Sequence, residues 1–266
     1  MSHDDTAAVF DRASSAYDRA GPRVFAAYGR RLVELAHVSR GMRVLDVATG
    51  KGAILLPAAR QVGSQGRVVG VDLSMGMMQA TAVDLRASGG RPIELCQMDA
   101  GRLALADASF DRVLCGHAIF SFPNAMKEFH RVLRPDGQTG LTIISRGCFD
   151  WLMQALEPYQ PPHSSENKKL DDLAVDTPDG LARLLTRTRF DDIQISEEAT
   201  DFMYASDDEW WSTLWTLGVR STLERLDAAT LARFKADLFE RLLAFHQPDG
   251  VHILFHVLFA FGVKGH

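Results

Sequence analysis

Residues Arg43-Val44-Leu45-Asp46-Val47-Ala48-Thr49-Gly50-Lys51-Gly52 run from a short apolar strand, past an acid near its end, into a glycine-containing turn that opens a helix. Side chains at Gly50 and Gly52 would obstruct the approach of backbone N–H groups to a ligand, so their absence marks a cradle. Arg67-Val68-Val69-Gly70-Val71-Asp72-Leu73 follows as a second strand of the buried type. Its acid, Asp72, stands where a doubly wound sheet grips the hydroxyl pair of a ribose. Together the two segments predict a nucleoside cofactor.

Departures from the dinucleotide fingerprint narrow the choice. With Gly50 and Gly52 as the first two glycines of G-x-G-x-x-G, the third falls on Leu55, so the close helix-to-strand packing of that fingerprint is missing. Asp46 adds a carboxylate beside the pocket, which repels a pyrophosphate and attracts an amino group. Both features favour a cationic, phosphate-free ligand over a nicotinamide dinucleotide.

Working outward, Gln97-Met98-Asp99-Ala100 follows a third strand, Ile93-Glu94-Leu95-Cys96. Phe110-Asp111-Arg112-Val113-Leu114-Cys115-Gly116-His117 reads as a fourth, and Leu133-Arg134-Pro135-Asp136-Gly137 precedes a fifth. This order of segments resembles the class I S-adenosylmethionine-dependent methyltransferases, and within them the small-molecule branch that includes the ubiquinone and menaquinone C-methyltransferases. Phe10-Asp11-Arg12-Ala13-Ser14-Ser15-Ala16-Tyr17-Asp18 is similar to that branch's N-terminal signature. The likeness is close over residues 9–146 and holds only in outline beyond. It implies an α/β, Rossmann-like methyltransferase sheet, mostly parallel with an antiparallel last strand, carrying N-terminal helices and a helical cap. It also implies S-adenosyl-L-methionine as methyl donor and S-adenosyl-L-homocysteine as product.

Site roles follow. Asp72 is placed to accept two hydrogen bonds from the ribose diol, against the alternative of an acid at a helix start. By the resemblance, Asp99 accepts from the adenine amino group while the Ala100 N–H faces a ring nitrogen; a turn-capping Asp is the other reading. Asp46 and the backbone of Ala48, Thr49, Gly50 and Gly52 surround the methionine part, and the Cys115 carbonyl approaches its ammonium. Ala48 replaces the family's usual first glycine, and its methyl is tolerated only at negative φ. Leu73 and Met77 wall the adenosine. Tyr17 either closes its ring over the sulfonium or packs on the core as one face of an amphipathic helix.

Methyl transfer needs a base only where the acceptor must lose a proton, and His117, just beyond strand four, is the candidate by chain order. A polar residue at the cofactor rim is the alternative. Phe202, Tyr204 and Trp211, with Trp210 and Trp215, either wall an apolar acceptor or pack among themselves. Arg220 is a candidate anchor for an acidic acceptor group. His246, His252 and His256 have no cysteine or carboxylate at ligand-like spacing, so His256 is assigned to the acceptor pocket and no metal is expected. The expected function is methyl transfer to oxygen or carbon of a small, partly apolar metabolite. Nitrogen or a macromolecule as acceptor, and a non-catalytic cofactor-binding protein of the same fold, are the alternatives.

A chain of 266 residues, 46% apolar, is long enough for one substantial core, and the strand-helix alternation gives no reason to split it. A net charge of −5 disfavours a general nucleic-acid surface. The polar first 20 residues do not suit a secretory leader, and no apolar run is long enough to span a bilayer, so a cytoplasmic protein, monomer or homodimer, is expected. Cys96, Cys115 and Cys148 lack C-x-x-C spacing and read as reduced thiols.

Periodicity predicts helices over 5–19, 22–37, 52–62, 75–87 and 124–133 and strands near 43–48, 67–72, 92–96, 110–116 and 138–145. Residues 147–176 read as a loop-rich cap insertion. Thr177-Pro178 starts a helix to about 188, with Thr177 as N-cap. A strand near 191–199, two helices over 207–246 separated at Asp227, and a last strand over 253–263 complete the single domain. Residues 1–40 and 202–250 form the rest of the cap.

Overall fold

The computed structural model describes residues 3–14, 17, 21–87, 93–159 and 173–265. Among these, eight strands form one sheet: β1 (Arg43–Val47), β2 (Arg67–Asp72), β3 (Ile93–Gln97), β4 (Phe110–Gly116), β5 (Leu133–Ile144), β6 (Phe190–Tyr204), β7 (His246–Gln247) and β8 (Gly250–Lys264). The order is β3-β2-β1-β4-β5-β8-β6, with β7 paired to β8. Strands β1 to β5 run parallel, while β8 runs antiparallel between β5 and β6.

Helices α1 (His3–Ala13), α2 (Val24–Leu35), α3 (Leu55–Val62), α4 (Met75–Ala87) and α5 (Met126–Val132) accompany the parallel half, and α6 (Asp150–Leu156) follows β5. Helix α7 (Pro178–Arg187) precedes β6, and α8 (Asp207–Leu214), α9 (Arg220–Leu223) and α10 (Ala228–Leu242) lie between β6 and β8. The period-two alternation of β1 sorts the core into two layers: Val44 joins Leu32, Leu55 and Leu114 on one side, while Leu45 and Val47 join Phe129, Leu181 and Leu258 on the other. Asp46 shares the face of Val44, which brings its carboxylate to the α2–α3 side. At Gly29 helix α2 presses on the loop before α3, where an added Cβ would stand 2.3 Å from the Ala53 carbonyl oxygen.

Capping chemistry sets several boundaries. The Thr177 hydroxyl accepts from the Gly180 N–H at 3.1 Å at the start of α7, as its sequence indicates. Asp227 accepts from the Thr230 N–H at 2.8 Å and starts α10. The break at Asp227 is therefore present, but 207–246 holds three helices instead of two.

Other differences have physical reasons. Residues 150–156, expected as loop, form α6, whose Leu152, Ala155 and Leu156 are buried. Strand β6 reaches Tyr204 because Phe202 and Tyr204 continue its alternation and pair with Ile253 and Val251. Strand β5 starts at Leu133, opposite Phe110, before a bulge restores pairing at Gln138. Helix α1 ends at Ala13. The polar run from His163 to Lys169, and residues 15, 16 and 18–20, lie outside the described residues. Among the described residues no helix is long and apolar enough to cross a membrane.

Candidate active site

The carboxyl ends of β1, β2, β3 and β4 open into two adjoining hollows that share Tyr17, Ala48, Gly50, Gly116 and His117. The narrower one, of about 130 Å³, is walled by Asp72, Leu73, Met77, Asp99 and Ala100, with Phe10 from α1 and Phe120 and Phe122 from the loop after β4. The wider one, of about 860 Å³, lies between α2 and the loop into α3 and includes Asp46, Thr49, Gly52 and Thr142.

Asp72 is fixed by two backbone donors, the Gly50 N–H at 2.8 Å and the Ser74 N–H at 2.9 Å, one on each carboxylate oxygen. A carboxylate offers about four acceptor sites, so both oxygens retain capacity for a ligand. Burial raises its pKa, against these two hydrogen bonds. Gly50 sits at φ 48 with open space where a Cβ would point, and the Thr81 hydroxyl donates to its carbonyl at 2.6 Å. Ala48, expected at negative φ, lies at φ 55. Its methyl is accommodated in the left-handed region at a cost of about 1 kcal/mol, so the chain keeps the glycine-like loop path without the glycine.

Asp46 is 1% exposed and takes the Thr49 hydroxyl on one oxygen at 2.6 Å. Its other oxygen, Oδ1, has no hydrogen-bond partner among the described residues. Burial above all pushes its pKa up to about 7. Such an oxygen suits a cationic hydrogen-bond donor. Asp99 accepts from the Gly101 N–H at 2.7 Å at the rim of the narrow hollow.

His117 is held at φ 52 with its backbone N–H on the Thr142 carbonyl at 2.8 Å. Its ring is half-buried, 5.3 Å from Phe25 and 5.6 Å from Tyr28 between centroids, and its two ring nitrogens are buried with no partner among the described residues. Burial lowers its pKa to about 4, so the imidazole is neutral at physiological pH. Tyr17 stacks on Phe25 at 5.4 Å and 12° and faces both hollows.

The remaining candidate residues lie outside the two hollows. Cys115 is buried in the core on the α5 side, its thiol pKa raised by burial, and the neighbouring Gly116 lines the hollows. Phe202 packs edge-on to Phe255 and Tyr28. Trp211 packs on Trp215 and Phe234, Arg220 pairs with Glu224 at 2.7 Å, and His256 approaches Glu197 at 3.5 Å. None of these four lines either hollow. Tyr204 borders a separate void of about 20 Å³, room for a single water. His246 pairs with Asp207, and His252 bridges Asp201 and Asp249.

Asp11 was not singled out as a site residue, although it lies in the quoted N-terminal signature. It accepts from the Gly76 N–H at 2.8 Å and the Ser74 hydroxyl at 2.5 Å, which docks α1 on the start of α4 and lays Phe10 over the narrow hollow. Arg23, Phe25, Arg30 and Arg60 also line the wider hollow, and no local pattern in the sequence signals this because only the packing of α2 against α3 brings them together.

Residues 44–137 match the family described as a methyltransferase domain. The aklanonic acid methyltransferase DauC of Streptomyces sp. (strain C5) is 37% identical over 158 residues, 58% of this chain and 72% of that protein. The nocamycin O-methyltransferase of Saccharothrix syringae is 38% identical over 137 residues, 50% of this chain and about half, 49%, of its own length. Among solved structures, the YcgJ protein of Bacillus subtilis superposes with a TM-score of 0.59 at 18% identity, covering 90% of this chain and 99% of its own, a likeness of fold. With its hollows at the strand ends, its orphaned buried carboxylate oxygen and these relatives, the chain belongs to the class I S-adenosylmethionine-dependent methyltransferases.

Proposed function

We propose that this enzyme methylates an acidic hydroxyl, or a carbon made nucleophilic by one, on a small and partly apolar metabolite that reaches the point where the two hollows meet. When bound, S-adenosylmethionine supplies a methyl group on positively charged sulfur, already activated for displacement. The chain then has to bind, align and exclude water. In this reading Asp72 takes the ribose hydroxyls on its remaining lone pairs, Asp99 and the Ala100 N–H address the adenine, and Leu73 and Met77 cover its faces. Asp46 Oδ1 takes the ammonium of the amino-acid end, with the Cys115 carbonyl nearby, and the backbone from Ala48 to Gly52, with Thr49, forms the cradle. Tyr17 turns its ring toward the sulfonium, an attraction of about 0.5–2 kcal/mol.

The observation that carries the acceptor chemistry is the half-buried His117, with two unpartnered ring nitrogens, at the meeting point of the hollows. Burial lowers the pKa of this imidazole, so as a base it suits an acceptor group that is itself acidic, such as the enol of a 1,3-dicarbonyl or a phenol acidified by a neighbouring carbonyl, whereas a carboxylic acid is already ionised at neutral pH and needs no base. The names of the aklanonic acid and nocamycin O-methyltransferases support an acceptor of this kind. The test is incubation of the purified enzyme with methyl-labelled cofactor and a metabolite extract, read by mass spectrometry. Label on an acidic oxygen or its adjacent carbon is expected; label only on amines overturns the reading.

A further inference from the structure

The outer half of the wide hollow carries charge that none of these roles uses. It runs as a groove between α2 and α3, with Arg23 and Arg30 on one wall and Lys51 and Arg60 on the other. Two carboxylates line the same hollow: Asp46 lies deep against Thr49, and Asp84 lies 2.7 Å from Lys51 Nζ. The three arginines are exposed along the rim and form no ion pair with a described residue.

The backbone adds to the same field. Arg23 holds the position before α2 at φ 54, ψ 54, a left-handed conformation that costs an arginine about 1 kcal/mol or more. Among the described residues no side chain caps this helix, and its first intrahelical bond is that of the Ala27 N–H. The earlier N–H groups, with the positive end of the helix dipole, therefore stand beside Phe25 and Ala26, which line the hollow. Arg23 and Arg30 lie about 10 Å apart along the helix. That span suits an extended acid better than a point ion.

We propose that Arg23, Arg30 and Arg60 make the groove between α2 and α3 a carboxylate-binding site continuous with the reacting centre. The proposal rests on the cofactor reading given above. The planar guanidinium fork matches a carboxylate in two-point geometry. Two carboxylates can reach the groove, that of the cofactor's amino-acid end and that of an acidic acceptor.

Calorimetry separates them, using wild type and the triple variant Arg23→Gln, Arg30→Gln, Arg60→Gln, with an unchanged melting temperature as the control for folding. S-adenosylhomocysteine is compared with 5′-methylthioadenosine, which keeps the nucleoside and sulfur but has no carboxylate. The S-adenosylhomocysteine-loaded protein is then titrated with 1-hydroxy-2-naphthoate and with its uncharged amide. Loss of about 10–100-fold in S-adenosylhomocysteine affinity, with 5′-methylthioadenosine unchanged, assigns the groove to the cofactor. Loss of the naphthoate alone, with the amide unchanged, assigns it to the acceptor. If the variant matches wild type within twofold on both carboxylate probes, the groove proposal fails by itself. If wild type binds neither nucleoside, the cofactor reading fails and takes the groove with it.

Discussion

The two halves of the sheet use the space above their strand ends in opposite ways. Above β1, β2 and β4 the chain leaves room, floored by a loop with positive φ at Ala48, Gly50 and Gly52 and by carboxylates that backbone and hydroxyl donors hold in place. On the β8–β6 side the corresponding cap is filled with rings. Trp210 is fully buried among Tyr204 at 5.0 Å, Phe149 and Trp151 at 6.1 Å each, and Phe255 at 6.4 Å. An aromatic cluster in sequence is thus compatible with either a pocket wall or a core, and the partners each ring finds decide between them.

Trp210→Ala tests that contrast with the largest expected effect. If the cap is core, the variant loses about 3–5 kcal/mol of stability, read by denaturant unfolding, while the protein that remains folded binds S-adenosylhomocysteine as before. A stable variant with altered acceptor preference would instead make the ring a pocket wall. His117→Ala probes the open half. As a general base its removal lowers kcat by about 10²–10⁴-fold with S-adenosylhomocysteine affinity within a few-fold of wild type, measured by single-turnover transfer and calorimetry. Equal loss of cofactor affinity and rate would reduce His117 to a rim residue. Third in size is Asp72→Ala, for which affinity for S-adenosylhomocysteine falls by about 30–150-fold, corresponding to about 2–3 kcal/mol in charge-assisted hydrogen bonds.

The same contrast explains what could be read from the chain. The positions of Gly50, Gly52, Asp72 and Asp99 are legible because their geometry is local: the two glycines lie in the loop after β1, Asp72 ends β2 and Asp99 follows β3, and strand ends follow from apolar runs and turn residues. Thr177 and Asp227 were legible for the same reason, as caps acting within three residues. Phe202, Trp211, Arg220 and His256 stand away from both hollows because their partners, Phe255, Phe234, Glu224 and Glu197, are chosen by packing that composition does not encode. Arg23, Arg30 and Arg60 reach one groove only because Gly29 lets α2 approach Ala53. The left-handed Ala48 ran against the local expectation. There the surrounding loop, pinned by the Thr49 N–H to the Val71 carbonyl at 3.0 Å, outweighs the preference of one residue.

The smallest expected effect discriminates most finely between a solvated pocket carboxylate and one sealed into the core. With its pKa raised by burial to about 7, Asp46 is ionised above that pH and protonated below it in the free enzyme. Only the ionised form pairs with an ammonium, so S-adenosylhomocysteine affinity should fall by about tenfold in all as pH drops from 7 to 5. The sign for stability is opposite. The unfolded carboxylate ionises near 4 whereas the native one keeps its proton to about 7, so this group makes the free protein progressively less stable as pH rises through that window. Asp46→Asn should flatten both dependences, with calorimetry following one and thermal unfolding the other. An Asp46→Asn protein that retained the wild-type pH slope of binding would show that another group sets that slope and that the orphaned oxygen does not meet the cofactor's amino group.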